Sequence, residues 1–124
     1  MRVPGADSRR RAERRGRRGE FIAALLLLIK GYRILGRRVR TPLGEIDLVA
    51  QAPGGVVCFI EVKTRDTVRG AVEALLPRQQ ARIARAADTF LAQKPHLKPR
   101  AVRFDTITVA RGRLPRHFPD AWRP

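Results

Sequence analysis

Phe59-Ile60-Glu61-Val62-Lys63 lies inside residues 56–64, the most β-like run of the chain, and constrains the fold more than any other segment. Side chains in a strand alternate faces, so Glu61 and Lys63 share one face while Cys58, Ile60 and Val62 share the other. A carboxylate and an ammonium in an otherwise apolar strand are costly unless paired or put to use. Asp47 stands fourteen residues before Glu61, in a second strand (residues 45–51) reached across the turn Ala52-Pro53-Gly54-Gly55. In that strand Glu45 and Asp47 should share a face, with Ile46 and Leu48 on the opposite one. A hairpin that aligns these faces sets Asp47 beside Glu61. Two carboxylates so placed repel unless a proton or a cation lies between them. With oxygen ligands alone the cation is hard, Mg²⁺ or Mn²⁺. The simpler use of Glu61 and Lys63 is a salt bridge on a half-exposed sheet, but Asp47, and Glu20 at the mouth of a buried helix, point to a site.

The remaining elements follow from turn chemistry and periodicity. Residues 21–30 contain no breaker and end at Gly31, a natural left-handed helix stop. This helix is apolar nearly all round, which predicts burial on more than one side. Residues 32–40 read as an edge strand, and Thr41-Pro42-Leu43-Gly44 as a turn. A polar loop is expected over residues 66–70. Pro77 opens a second helix over residues 77–93, with an apolar stripe at Ile83, Ala84, Ala87, Phe90 and Leu91. Residues 101–110 form the last strand. The order helix, three strands, helix, strand predicts an α/β fold. Its first three strands are antiparallel and its strand–helix–strand end is a right-handed parallel crossover, giving one mixed sheet flanked by helices.

Charge decides which partners to consider. There are 27 lysines and arginines against 11 acids, a net charge of +16, and such a surface attracts polyanions, nucleic acid first. Residues 1–15 read as a flexible basic arm that gives way to helix somewhere after Ser8, 16–112 as the folded domain and 113–124 as an irregular tail whose aromatic residues dock on the body. Arg37, Arg38 and Arg40 beside the site, with Arg65, Arg69, Arg78, Arg82 and Arg85, are expected to contact phosphates. Cys58 is the only cysteine and reads as core, which excludes an intramolecular disulfide and suits a reducing cytoplasm. Tyr32 and Phe21 also read as core, Asp105 as a distant structural acid, and His96 and His117 as incidental loop residues. Arg17-Arg18 before an apolar run mimics an export signal. The run has nine residues, too few to span a bilayer, and no small-residue cleavage site follows, so no membrane partner is expected. Leu25 and Leu28 form a second face of the first helix. Either the tail around Phe118 and Trp122 covers them, or a second copy does, giving a homodimer.

Asp47 followed by Glu61-Val62-Lys63 resembles the D…(D/E)-x-K signature of the restriction-endonuclease-like superfamily. Glu20 stands where the archaeal Holliday-junction resolvases of that superfamily carry an acidic residue. A closer resemblance is to the uncharacterised bacterial YraN family. It is carried by Gly16-Arg17-Arg18-Gly19-Glu20, Gly31-Tyr32-Arg33-Ile34-Leu35, Gly44-Glu45-Ile46-Asp47-Leu48-Val49 and Phe59-Ile60-Glu61-Val62-Lys63-Thr64-Arg65. It continues through Gly70, Glu73-Ala74, Ala86-Ala87 and Arg103-Phe104-Asp105. The pattern departs at Gln79, where the family usually has lysine, and at Leu25 and Leu28, where it has polar residues. The resemblance implies an αβββαβ core, metal binding by Asp47 and Glu61, support from Glu20, and Lys63 orienting or deprotonating the attacking water. The expected activity is Mg²⁺- or Mn²⁺-dependent hydrolysis of DNA phosphodiester bonds, at branched structures if the resolvase likeness extends to substrate. The metal would be held by Asp47, Glu61 and the Val62 carbonyl. A non-catalytic nucleic-acid-binding module and a basic adaptor for an acidic partner are the alternatives.

Overall fold

The computed structural model describes residues 6–65 and 77–124, with side chains for residues 17–64 and 77–124. Helix α1 (Ala6–Ile29) leads into strands β1 (Arg33–Thr41), β2 (Gly44–Gln51) and β3 (Val57–Arg65), then α2 (Pro77–Ala92), β4 (Val102–Ala110) and β5 (Arg116–Trp122). The five strands form one mixed sheet in the order β1-β2-β3-β4-β5. Pairing is antiparallel except between β3 and β4, which run parallel as the crossover predicts. The loop expected at residues 66–70, with Arg69, lies outside the described residues, as do residues 1–5. Among the described residues no helix is long and apolar enough to cross a membrane.

Two cores, one on each face of the sheet, follow the alternation of its strands. Ala23, Ala24 and Leu27 of α1 pack on Leu48, Ala50, Cys58, Ile60, Ile107 and Val109, with Val62 half-buried beside them. On the other face Ile83, Ala86, Ala87 and Phe90 of α2 pack on Val49, Val57, Phe59 and Phe104. Gly31 ends α1 as expected: its φ is +86°, its N–H reaches the Leu28 carbonyl, and the Tyr32 N–H reaches back to Leu27. Only glycine adopts that backbone without strain.

Four expectations need correction. The helix starts at Ala6, slightly before the expected change after Ser8, so residues 6–15 are helix rather than flexible arm, because arginine and alanine are good helix formers even without an apolar face to bury. The first helix is buried on one side only: Phe21, Leu28 and Ile29 are 52%, 53% and 83% exposed, and Leu25 is exposed beside them. Phe21 is therefore not core. The tail is not irregular, since β5 pairs antiparallel with β4 and gives its open edge hydrogen-bond partners. Pro119 is tolerated there because β5 is itself an edge strand. Finally, the tail does not cover Leu25 and Leu28. Trp122 lies on the α2 side, 4.5 Å from Phe104 between ring centres.

Candidate acidic site where strands β2 and β3 part

The strand pair β2–β3 brings Asp47 and Glu61 together. Its register runs from Gln51↔Val57 to Leu48↔Ile60, and the next step would pair Asp47 with Glu61. There the ladder stops, and the Asp47 side chain takes over: Oδ2 accepts a 2.8 Å hydrogen bond from the Val62 N–H. The Asp47 charge lies close enough to Glu61 to favour a protonated carboxyl there. Burial, then the charge of Asp47, push the Glu61 carboxyl from 4.5 up to about 8, against the opposing pull of Lys63. Asp47 is also raised, by burial first, although the Val62 N–H favours its ionised form. One detail of the expected alternation fails at this point. Ile46 packs on the α2 side while Leu48 packs on the α1 side, so the strand twists out of strict alternation at Asp47.

Helix α1 supplies the third acid. Glu20 is buried, and its charge raises both Asp47 and Glu61. Its carboxylate Oε2 accepts a 2.5 Å charge-assisted hydrogen bond from Arg38 Nε. Gly19 sets the height of the helix over β3. A Cβ there would collide with Thr64 Oγ1, so Thr64 would have to leave its present rotamer or the helix would have to lift. Gly19→Ala should therefore lower stability by about 1–3 kcal/mol despite alanine's helix propensity, and Thr64→Ala should restore much of the loss. Thermal unfolding of both variants checks this. A Gly19→Ala protein as stable as wild type would show that the helix does not need the close approach.

The donor set fits a hard cation in one respect and limits it in another. Two neighbouring carboxyls, one of them protonated, can exchange that proton for a metal ion, and all the donors are oxygen. Among the described residues, however, no group of three His, Cys, Asp or Glu side chains is arranged to hold a metal. The protein would thus offer Asp47, Glu61 and a main-chain carbonyl, with water completing an octahedral shell as Mg²⁺ prefers.

The arginines are dispersed around this point. Arg37 and Arg40 are exposed on β1, with Arg40 Nε 3.7 Å from Glu45 Oε2. Arg82 is exposed on α2, its main chain close against Gly44 in the turn between β1 and β2. Arg78 and Arg85 are exposed on the same helix. The side chain of Arg65 lies outside the described residues.

Sequence reasoning missed a second polar cluster. Asp105 is fully buried on β4 and accepts two hydrogen bonds from Arg103, at 2.8 and 2.9 Å, one from His117 Nε2 at 2.8 Å and one from the Asp120 N–H at 3.0 Å. Arg103 also donates to the Tyr32 hydroxyl, and Lys30 Nζ donates to His117 Nδ1 at 2.5 Å. Burial alone would raise the Asp105 carboxyl, but the His117 and Arg103 bonds overcome it and bring it down to about 2. His117 is therefore a structural residue of β5, not an incidental loop histidine. The available signal was Arg103-x-Asp105, an opposite-charge pair on one strand face, the same signal as Glu61-x-Lys63. Burial, then the nearby Asp105 charge, hold the Cys58 thiol protonated up to about pH 12, which removes it as a nucleophile.

Fold and site together define a small, strongly basic α/β protein with a half-buried acid pair where two strands of its sheet part. Residues 19–109 match uncharacterised protein family UPF0102, to which the chain belongs. This is the family that the sequence blocks pointed to as YraN. Similar members include UPF0102 proteins of Caulobacter vibrioides, 53% identical over 111 residues (90% of this chain, 88% of the relative), and Paramagnetospirillum magneticum, 48% identical over 125 residues (98% and 96%). Another, from Parvibaculum lavamentivorans, is 50% identical over 113 residues (91% and 84%).

Proposed function

We propose that this protein binds nucleic acid and hydrolyses DNA phosphodiester bonds with Mg²⁺ or Mn²⁺, within the restriction-endonuclease-like superfamily. The observation that carries this reading is the Asp47–Glu61 pair, set side by side where the β2–β3 ladder ends, with Lys63 next in line on the Glu61 face. A divalent ion bound there would polarise the phosphate and stabilise the charge that develops on it. Asp47 and Glu61 orient that ion, and the Val62 N–H fixes the Asp47 carboxylate. Lys63 holds the attacking water and favours its ionised form by proximity of charge. Arg37, Arg40, Arg78, Arg82 and Arg85 would track the phosphate backbone, each contact releasing counterions. The exposed stripe Phe21, Leu25, Leu28 and Ile29 is where a second copy would pack, so that two sites could face a branched substrate.

Calorimetric titration with Mn²⁺ tests the site directly. Wild type should bind, and Asp47→Ala should not, with its far-ultraviolet circular dichroism unchanged. Linear, flapped and four-way DNA, with RNA beside them, then identify the substrate. Equal Mn²⁺ binding by both proteins, or none by wild type, overturns the metal reading. Binding of DNA without cleavage of any member would leave a non-catalytic module.

A further inference from the structure

Arg38 combines three observations that a surface phosphate contact does not need. Its φ is +49°, a left-handed backbone that a non-glycine residue rarely adopts. The β1–β2 register, Arg37↔Leu48 and Val39↔Ile46, sets it across from Asp47. Its guanidinium grips Glu20, yet its side chain is 34% exposed where that of Glu20 is 11% exposed. One partner is thus enclosed with the acid pair, and the other reaches from that enclosure to solvent.

We infer that Arg38 is a positioning residue that exchanges partners: it holds the Glu20 carboxylate in the free protein and passes to a nucleic-acid phosphate in the complex, releasing Glu20 toward Asp47 and Glu61. The inference rests on the metal-dependent reading above. Charge balance drives the exchange. In the free protein the guanidinium compensates Glu20 beside two further carboxyls. A divalent ion between Asp47 and Glu61 brings a second positive charge to the same place, and the two cations repel. A phosphate offers the planar guanidinium a bidentate partner at the solvent side, and Glu20 is then free to offset the metal. Metal and nucleic acid therefore bind cooperatively, and by reciprocity each raises the affinity of the other by the same factor.

Arg38→Gly separates this exchange from a merely structural ion pair, because glycine keeps the left-handed backbone without strain. Arg38→Asn is the second variant, since asparagine also tolerates that conformation. Mn²⁺ affinity is read by electron paramagnetic resonance of the free ion, without nucleic acid, in wild type, Arg38→Gly, Glu20→Gln and the double variant. Arg38→Gly should bind Mn²⁺ about tenfold more tightly than wild type, a usual size for one coupling, and the gain should vanish when Glu20 is also glutamine. A short phosphorothioate duplex, with its own Mn²⁺ binding subtracted, should raise the affinity of wild type by a larger factor than that of Arg38→Gly, and an equal rise in both overturns the exchange. A gain that persists in the double variant would be through-space charge alone and overturns the exchange. So do folded Arg38→Gly and Arg38→Asn proteins that bind no more tightly than wild type. Wild type that binds no Mn²⁺ instead overturns the metal reading on which the inference rests.

Discussion

Replacing Glu61 with glutamine is expected to lower Mn²⁺-dependent cleavage of DNA by about a thousandfold, the scale on which losing a group that holds the charge-stabilising element acts. The fold should survive, since glutamine matches the shape of glutamate and its amide can still donate to Asp47. Stability separates this loss of function from a loss of structure. In the metal-free protein the Glu61 carboxyl is raised from 4.5 to about 8. The unfolded chain therefore releases that proton from pH 4.5 upward, while the folded protein keeps it until about 8. The wild type loses stability through this group as pH rises across that window, and above it the loss is complete and constant. Glu61→Gln carries no such penalty. It should be more stable than wild type above pH 8 in chelated buffer while being inactive with metal. Single-turnover cleavage and urea unfolding measure the two properties. A variant within tenfold of wild-type activity would place the metal elsewhere.

Asp105→Asn should act in the opposite way, costing stability and sparing the chemistry. The carboxylate is fully buried and satisfies Arg103, His117 and the Asp120 N–H together. Removing its charge leaves the Arg103 guanidinium without its counterion, a change that typically costs about 3–5 kcal/mol. The same group predicts a pH dependence. Its carboxyl sits at about 2 against an ordinary 3.8, so the stability it contributes is fully present above pH 3.8 and lost as pH falls through 2. That contribution is about 2 kcal/mol. Urea unfolding at neutral pH and across the acid range should show the gap between wild type and Asp105→Asn narrowing by about 2 kcal/mol as the carboxylate protonates. An equal gap at pH 7 and below pH 2 would mean that packing, not charge, is what Asp105 supplies.

The site was partly legible because its signals are short-range. Glu61 and Lys63 share a face by the geometry of any strand, and the Pro-Gly-Gly turn sets the β2–β3 register that brings Asp47 alongside. The faces of Cys58, Ile60 and Val62, the stop at Gly31 and the parallel crossover followed from the same kind of rule. The start of α1 was not legible, because residues 6–15 have no apolar stripe to mark a helix. β5 escaped because Pro119 and the flanking prolines read as a breaker, and nothing local announces that the edge of β4 is open.

What the sequence determined by itself, then, is what has its cause within a few residues: the faces of β3, the turns, the helix stop and the acid pair. Tertiary structure alone decided the pairings between distant segments. Glu20 on α1 meets Arg38 on β1 across eighteen positions. No periodicity encodes such pairs. They form because burying a charge is costly without a counter-charge, and the packed sheet and helix decide which counter-charge is within reach. The same packing chose the exposed face of α1, since the sheet has room for only one side of a helix.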